Sequence, residues 1–291
     1  MTTNEVKYRS VKRQKLIGNI IFILFFSGLS VLFLFPLVWM ISSTFKPLAH
    51  IFENPFTIIP REISTYSIRR GWNFIGSVTF TRLYFNTFYV AIMNVVITLL
   101  TSSMTAFAFA RLRFKFRGPL FIIMLSTMML PGQITLIPTF MMLSRIGLMD
   151  NLTVLWWGSI WGGGAFNVFL IRQFMMGIPK ELDEAAKIDG ANIFLIYWRI
   201  ILPLCKGVLL TITIFRFMSS YSDLMTPLIY INSLRLQTIP PAINMYLDTG
   251  GLGRNDIAIA MSTLSIIPLI IIFFLAQKKF MQGIQTVGVK G

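Results

Sequence analysis

Charged residues punctuate this chain at long intervals, and the stretches between them are almost wholly apolar. No charged residue stands between Lys15 and Lys46, Arg82 and Arg111, Arg117 and Arg145, Asp150 and Arg172, or Asp256 and Lys278. Each gap exceeds the ~20 residues needed to cross ~30 Å of hydrocarbon at 1.5 Å per residue. A sixth apolar run between Lys206 and Arg235 is interrupted by Arg216 and Asp223. The pattern predicts an all-α, polytopic membrane protein with six transmembrane helices, over about 17–43, 84–110, 119–143, 152–173, 205–231 and 257–277. Residues 1–16 form an N-terminal tail and 17–291 a single transmembrane domain; no tandem repeat or low-complexity tail divides it. The first run is too long for a signal-peptide core and lacks a small-residue cleavage site, so it reads as a retained helix.

Composition agrees. The chain is 55% hydrophobic and 13% charged, whereas soluble domains carry roughly 25% charged residues, so lipid is the expected solvent. The net charge of +15 admits nucleic-acid binding as one reading, but the basic residues sit between apolar runs and not on one polar domain, which favours topology over nucleic acid. Lysine and arginine gather in the N-terminal tail, in the 111–117 link, in the 172–206 link and near the C-terminus. Cytoplasmic loops concentrate such charges, so both termini are expected inside. One cysteine, Cys205, excludes an intrachain disulfide, and neither a Cys/His cluster nor His-Glu-x-x-His offers a metal site. With no phosphate-cradling Gly-x-x-x-x-Gly-Lys-[Ser/Thr] run and His50 as the single histidine, the chain is not expected to be an enzyme or to hold a cofactor.

The segment 179–203 is the longest cytoplasmic link and carries the strongest local signals. Pro179 reads as a first-turn proline, with Glu181, Asp183 and Glu184 near the positive end of a helix dipole. Gly190 is a helix terminator. Asn192 can cap a second short helix to about Ile201, and Pro203 marks the turn into the fifth span. An interfacial helix-turn-helix is the expected product.

The spacing of Glu184-Ala185-Ala186, Asp189-Gly190-Ala191 and Ile200-x-Leu202-Pro203 resembles the signature (EAA) loop of bacterial ATP-binding-cassette importer permeases. The wider chain is similar to the carbohydrate branch of that family, the maltose-transporter type. This likeness rests on Phe35-Pro36-Leu37-Val38-Trp39-Met40 with Ser43 and Lys46 beyond it, Asn86-Thr87, and Phe107-Ala108-Phe109-Ala110-Arg111-Leu112 followed by Phe116-Arg117-Gly118. Met129-x-Pro131, Ile137-Pro138, Gly147-Leu148, Gly283 and Gly288-Val289-Lys290-Gly291 add to it. Tyr221-Ser222-Asp223 and Thr238-Ile239-Pro240-Pro241 depart from the family's pattern near the expected pathway.

The resemblance implies a permease subunit of the bacterial inner membrane that moves a sugar or oligosaccharide by alternating access. It implies a second permease subunit as partner, two ATPase subunits that hold ATP and magnesium, and an extracytoplasmic solute-binding protein. In that frame Glu184 contacts an ATPase subunit, Ala185, Ala186 and Gly190 permit close approach, and segment 232–256 meets the binding protein.

Three features leave alternatives open. Arg216 and Asp223 stand two helical turns apart on one face of the fifth span, and intramembrane charges face a bundle interior or water. With Tyr221 they are the pathway candidates. Arg216 either attracts an acidic, uronic-acid type sugar or pairs structurally with Asp223 or a partner subunit. Gly162-Gly163-Gly164 permits close helix approach or a broken helix beside a cavity. Importers of non-sugar solutes share the loop, and an ion-coupled transporter or a membrane receptor stands as a rival reading.

Overall fold

The computed structural model describes residues 3–53, 55–73, 77–247 and 254–288. Among these the chain is helical and forms no strand. Four helices are long and apolar enough to cross a membrane: Ile17–Ser43, Phe80–Arg111, Val154–Met176 and Asn255–Leu275. Two further spans exist only as bent pairs, Arg117–Met129 with Gly132–Arg145 at 102° and Ile193–Leu204 with Lys206–Tyr221 at 76°. The glycines at 250, 251 and 253 and the last three residues lie outside the described residues.

The breaks correct three straight spans expected from hydropathy. The third is interrupted at Leu130-Pro131, where Leu130 is extended (φ −80°, ψ 118°) and Pro131 opens the next helix. A proline disfavours helical geometry in the residue before it and supplies no amide donor. The fourth is interrupted at Gly162, Gly163 and Gly164, with φ of +89°, +68° and +90°. Here both readings of the glycines hold, because a Cβ on Gly163 would also lie 2.7 Å from the Thr98 carbonyl oxygen and 2.8 Å from Ser102 Cβ. The fifth ends at Tyr221, with a separate short helix at Met225–Tyr230. Asp223 accepts the Thr226 amide at 3.1 Å, and such a local side-chain bond competes with helix continuation. Arg216 and Asp223 therefore do not share one helix face.

The chain divides into two compact units. The first holds residues 1–71 and 249–264. In it Thr44 Oγ1 donates to Thr263 Oγ1 at 2.8 Å, Ser67 donates to Asp256 at 2.8 Å, and Arg254 pairs with the buried Asp256 at 3.1 Å. The second holds residues 72–248 and 265–291. Its axis is the helix Phe80–Arg111, which packs against Ala165–Met176 and Lys206–Tyr221. Ala106, Phe107 and Ala110 from that helix meet Ile171, Met175, Tyr197, Ile201 and Cys205 in one buried cluster.

The second unit's opposite end is tied by polar groups. Asn86 donates to the Arg235 and Gln237 carbonyls at 2.9 and 2.8 Å, and Thr87 accepts the Ile239 amide. Asp150, left-handed at φ +56°, accepts the Asn232 and Ser233 amides at 2.9 and 2.8 Å and the Ser233 hydroxyl. These bonds hold its carboxyl below the ordinary carboxylate range.

Two predictions follow from this packing. Gly163→Ala adds a steric clash to left-handed strain and is expected to cost about 2–4 kcal/mol. Gly190→Ala, with open space around its Cβ, costs only the strain, about 1 kcal/mol; thermal unfolding in detergent ranks the two. For Asp150, the ionised form is favoured in the fold, so its contribution is complete above the ordinary carboxylate range and disappears as pH falls through the lowered value. Hydrogen-exchange protection of the Asn232 and Ser233 amides, corrected for intrinsic rate, should hold from neutral pH down to that range and then fall. Asp150→Ala should abolish it at every pH.

Candidate functional site

Segment 179–203 forms the expected helix-turn-helix. Its first helix runs Glu181–Ile188 with Lys180 at the cap position, so Pro179 precedes the helix and does not occupy its first turn. Gly190 closes it in left-handed geometry at φ +81°. The Ala191 amide reaches back to the Ala186 carbonyl at 2.9 Å and the Gly190 amide to Lys187 at 3.0 Å, which satisfies carbonyls left free at a helix C-terminus. Asn192 Oδ1 then accepts the Leu195 amide at 2.8 Å and starts the second helix.

That second helix continues to Leu204 and does not stop near Ile201. Residues Ile196–Ile201 form a wide π turn immediately before Pro203. Pro203 has no amide hydrogen for the Arg199 carbonyl, and a π turn is a common accommodation of an interrupted ladder. The sharp turn into Lys206–Tyr221 falls at Cys205.

Glu184, Ala185, Asp189 and Gly190 are exposed on one side of the hairpin. Ala186 is 7% exposed and packs inward with Ala106, Ile196 and Ile201. Ala186 is thus covered by its own chain, whereas Ala185 and Gly190 are exposed. Ala191, Ile200 and Leu202 are partly buried against the same cluster, and Pro203 is exposed. Sequence reasoning passed over the apolar rim beside the acidic turn: Ile188 is 88% exposed, Phe194 65% and Trp198 49%. Phe194 and Trp198 stack with centroids 6.3 Å apart. Their spacing of four residues on a short amphipathic helix was the available signal.

A second constellation lies within the spans. Arg216, Asp223, Asn94, Thr135, Thr139 and Ser220 are among the lining of a cavity of about 360 Å³. Arg216 Nη2 donates to Asn94 Oδ1 and to Ser159 Oγ, each at 2.8 Å. Asn94 Nδ2 donates to the Leu155 carbonyl at 3.1 Å and Ser220 Oγ at 2.9 Å, and Ser159 Oγ also lies 2.8 Å from Asn94 Oδ1. The guanidinium is thus anchored on one edge by two nearly fully buried neutral groups, while its Nε has no hydrogen-bond partner. No ion pair joins Arg216 to Asp223 among the described residues. Tyr221 is not in this lining: it is buried, donates to the Ser265 carbonyl at 2.9 Å and packs on Phe217 and Phe88. Asn94 and Ser159 were missed from the sequence; the helical spacing of Asn94, Thr98 and Thr101 was the available signal for the first, and Ser159 had none.

Residues 98–286 match the model of a protein family described as the binding-protein-dependent transport system inner membrane component. The arabinooligosaccharides transport system permease protein AraQ of Halalkalibacterium halodurans is 32% identical over 91% of this chain and 94% of its own length. The sn-glycerol-3-phosphate transport system permease protein UgpE of Yersinia pestis is 30% identical over 87% of this chain and 91% of its own. Among solved structures, a chain of a bacterial ABC transporter involved in importing the acidic polysaccharide alginate superimposes with a TM-score of 0.81 at 23% identity, covering 92% of this chain and 98% of that one. The chain belongs to the binding-protein-dependent inner membrane component family: it is a multi-pass permease subunit of an ATP-binding-cassette importer, a transport component and not an enzyme.

Proposed function

We propose that this subunit passes a sugar or oligosaccharide into the cytoplasm by alternating access, driven by two ATPase subunits that dock on the hairpin 179–203. The observation that carries the reading is the hairpin's two-sidedness. One side is built into the buried cluster of the second unit, while the other presents Glu184, Ile188, Phe194 and Trp198 without covering. An exposed apolar rim beside an acidic turn suits a protein cleft. ATP and magnesium reside on the ATPase subunits, whose closure displaces the hairpin and, through it, the spans.

A second permease subunit of different sequence completes the pathway, and both termini lie in the cytoplasm, in keeping with the clustered Lys and Arg. The extracytoplasmic solute-binding protein meets segment 232–256, of which 248–253 fall outside the described residues. Sugar as cargo is supported by the arabinooligosaccharide permease among the relatives. Within the cavity, hydroxyl and amide groups of Asn94, Thr135, Thr139 and Ser220 offer the hydrogen bonds a polyol needs, and Arg216 offers a cation for an acidic one. An anionic non-sugar solute is the second reading, since one relative is a glycerol-phosphate permease.

The docking reading is tested in liposomes carrying the whole complex. Gly190→Asp should leave the subunits assembled, yet reduce ATP-dependent uptake to background; undiminished uptake refutes the dock, and uptake that follows a proton gradient without ATP refutes the energy source. The substrate reading is tested with Arg216→Gln. Loss of a charge-assisted contact is worth ~1.5–3 kcal/mol, so uptake of a uronic-acid oligomer should fall roughly 10- to 100-fold while a neutral oligomer of equal length is little changed. Equal loss for both assigns Arg216 a structural role.

A further inference from the structure

Arg111 is the last residue of the helix Phe80–Arg111, and its side chain is only 4% exposed. Its Nε lies 3.2 Å from Asp183 Oδ2, and its Nη2 donates to the Ile178 carbonyl at 2.9 Å. One guanidinium therefore joins three pieces of chain: the end of span two, the segment leaving span four, and the first turn of the hairpin's leading helix. Of the three acids in that turn, Glu181 and Glu184 are exposed and Asp183 alone is turned inward. Ala186, one turn on, lies on the same inward face. Span two makes a second polar tie to the hairpin, where Ser103 Oγ and Tyr197 OH stand 2.8 Å apart in the buried cluster.

A buried ion pair is a poor way to stabilise a fold, since apolar residues of similar volume often do as well or better. This pair is also incompletely satisfied, because Asp183 Oδ1 and Arg111 Nε are both buried without a hydrogen-bond partner, so the two groups meet by charge alone. What the pair does supply is an attraction between one end of span two and the hairpin. Span two is one unbroken helix from Phe80 to Arg111, and it also carries Asn94, the residue that holds both Arg216 and the Leu155 carbonyl at the cavity. Asn94 and Arg111 are seventeen positions apart on that helix, about 25 Å at 1.5 Å per residue. The other routes from hairpin to cavity pass through breaks: the turn at Cys205 toward span five, and the glycine interruption of span four.

We propose that Arg111 and Asp183 are positioning residues for transport: they lock the hairpin to span two, so that displacement of the hairpin arrives at the Asn94–Arg216 node as displacement of a single rigid helix. The inference rests on the reading of the hairpin as the ATPase dock. It concerns neither ATPase binding nor cargo recognition, but how much of the motion is delivered.

The test uses the assembled importer in liposomes and reads cargo taken up per ATP hydrolysed. In Asp183→Asn, which keeps shape and removes charge, and in Arg111→Met, ATPase subunits should still copurify and the loaded binding protein should still stimulate hydrolysis. Uptake per ATP should fall by roughly tenfold, within the range of coupling effects of residues remote from ligand. The double variant should be no worse than either single one, because the two residues act as one unit, and Asp183→Glu should recover part of the ratio. Uptake per ATP equal to the parent in Asp183→Asn overturns the proposal. So does loss of assembly in Asp183→Asn, which marks the pair as structural. A parent complex whose uptake ignores ATP instead overturns the docking reading, and this inference with it.

Discussion

A backbone in hydrocarbon must find every hydrogen-bond partner within the protein, and irregular segments survive there only where protein or trapped water satisfies them. In this chain that constraint falls on span two. Where span four unwinds around its three glycines, Thr101 Oγ1 of span two donates to the Ser159 carbonyl at 2.9 Å, and Asn94 Nδ2 donates to the Leu155 carbonyl at 3.1 Å. Asn167 reaches back to the Gly163 carbonyl at 2.7 Å. Asn94, Thr98 and Thr101 recur at helical spacing and form a polar stripe on an apolar helix. Asn94 and Thr101 serve the broken backbone beside them, the Thr98 hydroxyl has no hydrogen-bond partner, and Gly163 is small enough to lie against the Thr98 carbonyl.

The same arrangement accounts for the intramembrane charge. An arginine at a helix centre costs roughly 2.5–3.5 kcal/mol on insertion scales. Arg216 reduces that cost by donating to Asn94 and Ser159, groups the stripe and the interruption already bring together. Arg216 is also among the lining of the cavity, with Thr135, Thr139 and Asp223. The break that requires polar support and the polar-lined cavity are thus one construction, and the unbroken helix beside them runs to the hairpin 179–203.

Much of this was legible in residue order. Charge-free intervals place five of the expected spans within a few residues of an apolar helix or bent pair, while the fifth, expected over 205–231, ends at Tyr221. The Gly190 terminator and the Asn192 cap are local chemistry, decided by a left-handed backbone and a side-chain acceptor a few residues away. The hairpin resembles the signature loop of the importer family in residue type and spacing. Less legible were Arg111 and Asp183. In sequence Arg111 is one of a run of cations that reads as a topology marker, and Asp183 is one of three acids in a helix's first turn. Only the direction each side chain takes separates them from their neighbours.

The division has a physical cause. Hydropathy, caps, terminators and proline breaks depend on contacts within a few residues, so the order of amino acids by itself determined that this chain is a helical membrane protein with a helix-turn-helix hairpin between its fourth and fifth spans. The inward turn of Ala186, the pairing of Arg111 with Asp183, and the partnership of Asn94 with Ser159 depend on residues far apart in the chain. Burial and hydrogen-bond satisfaction are properties of neighbours in space, and those neighbours exist only once the helices have packed.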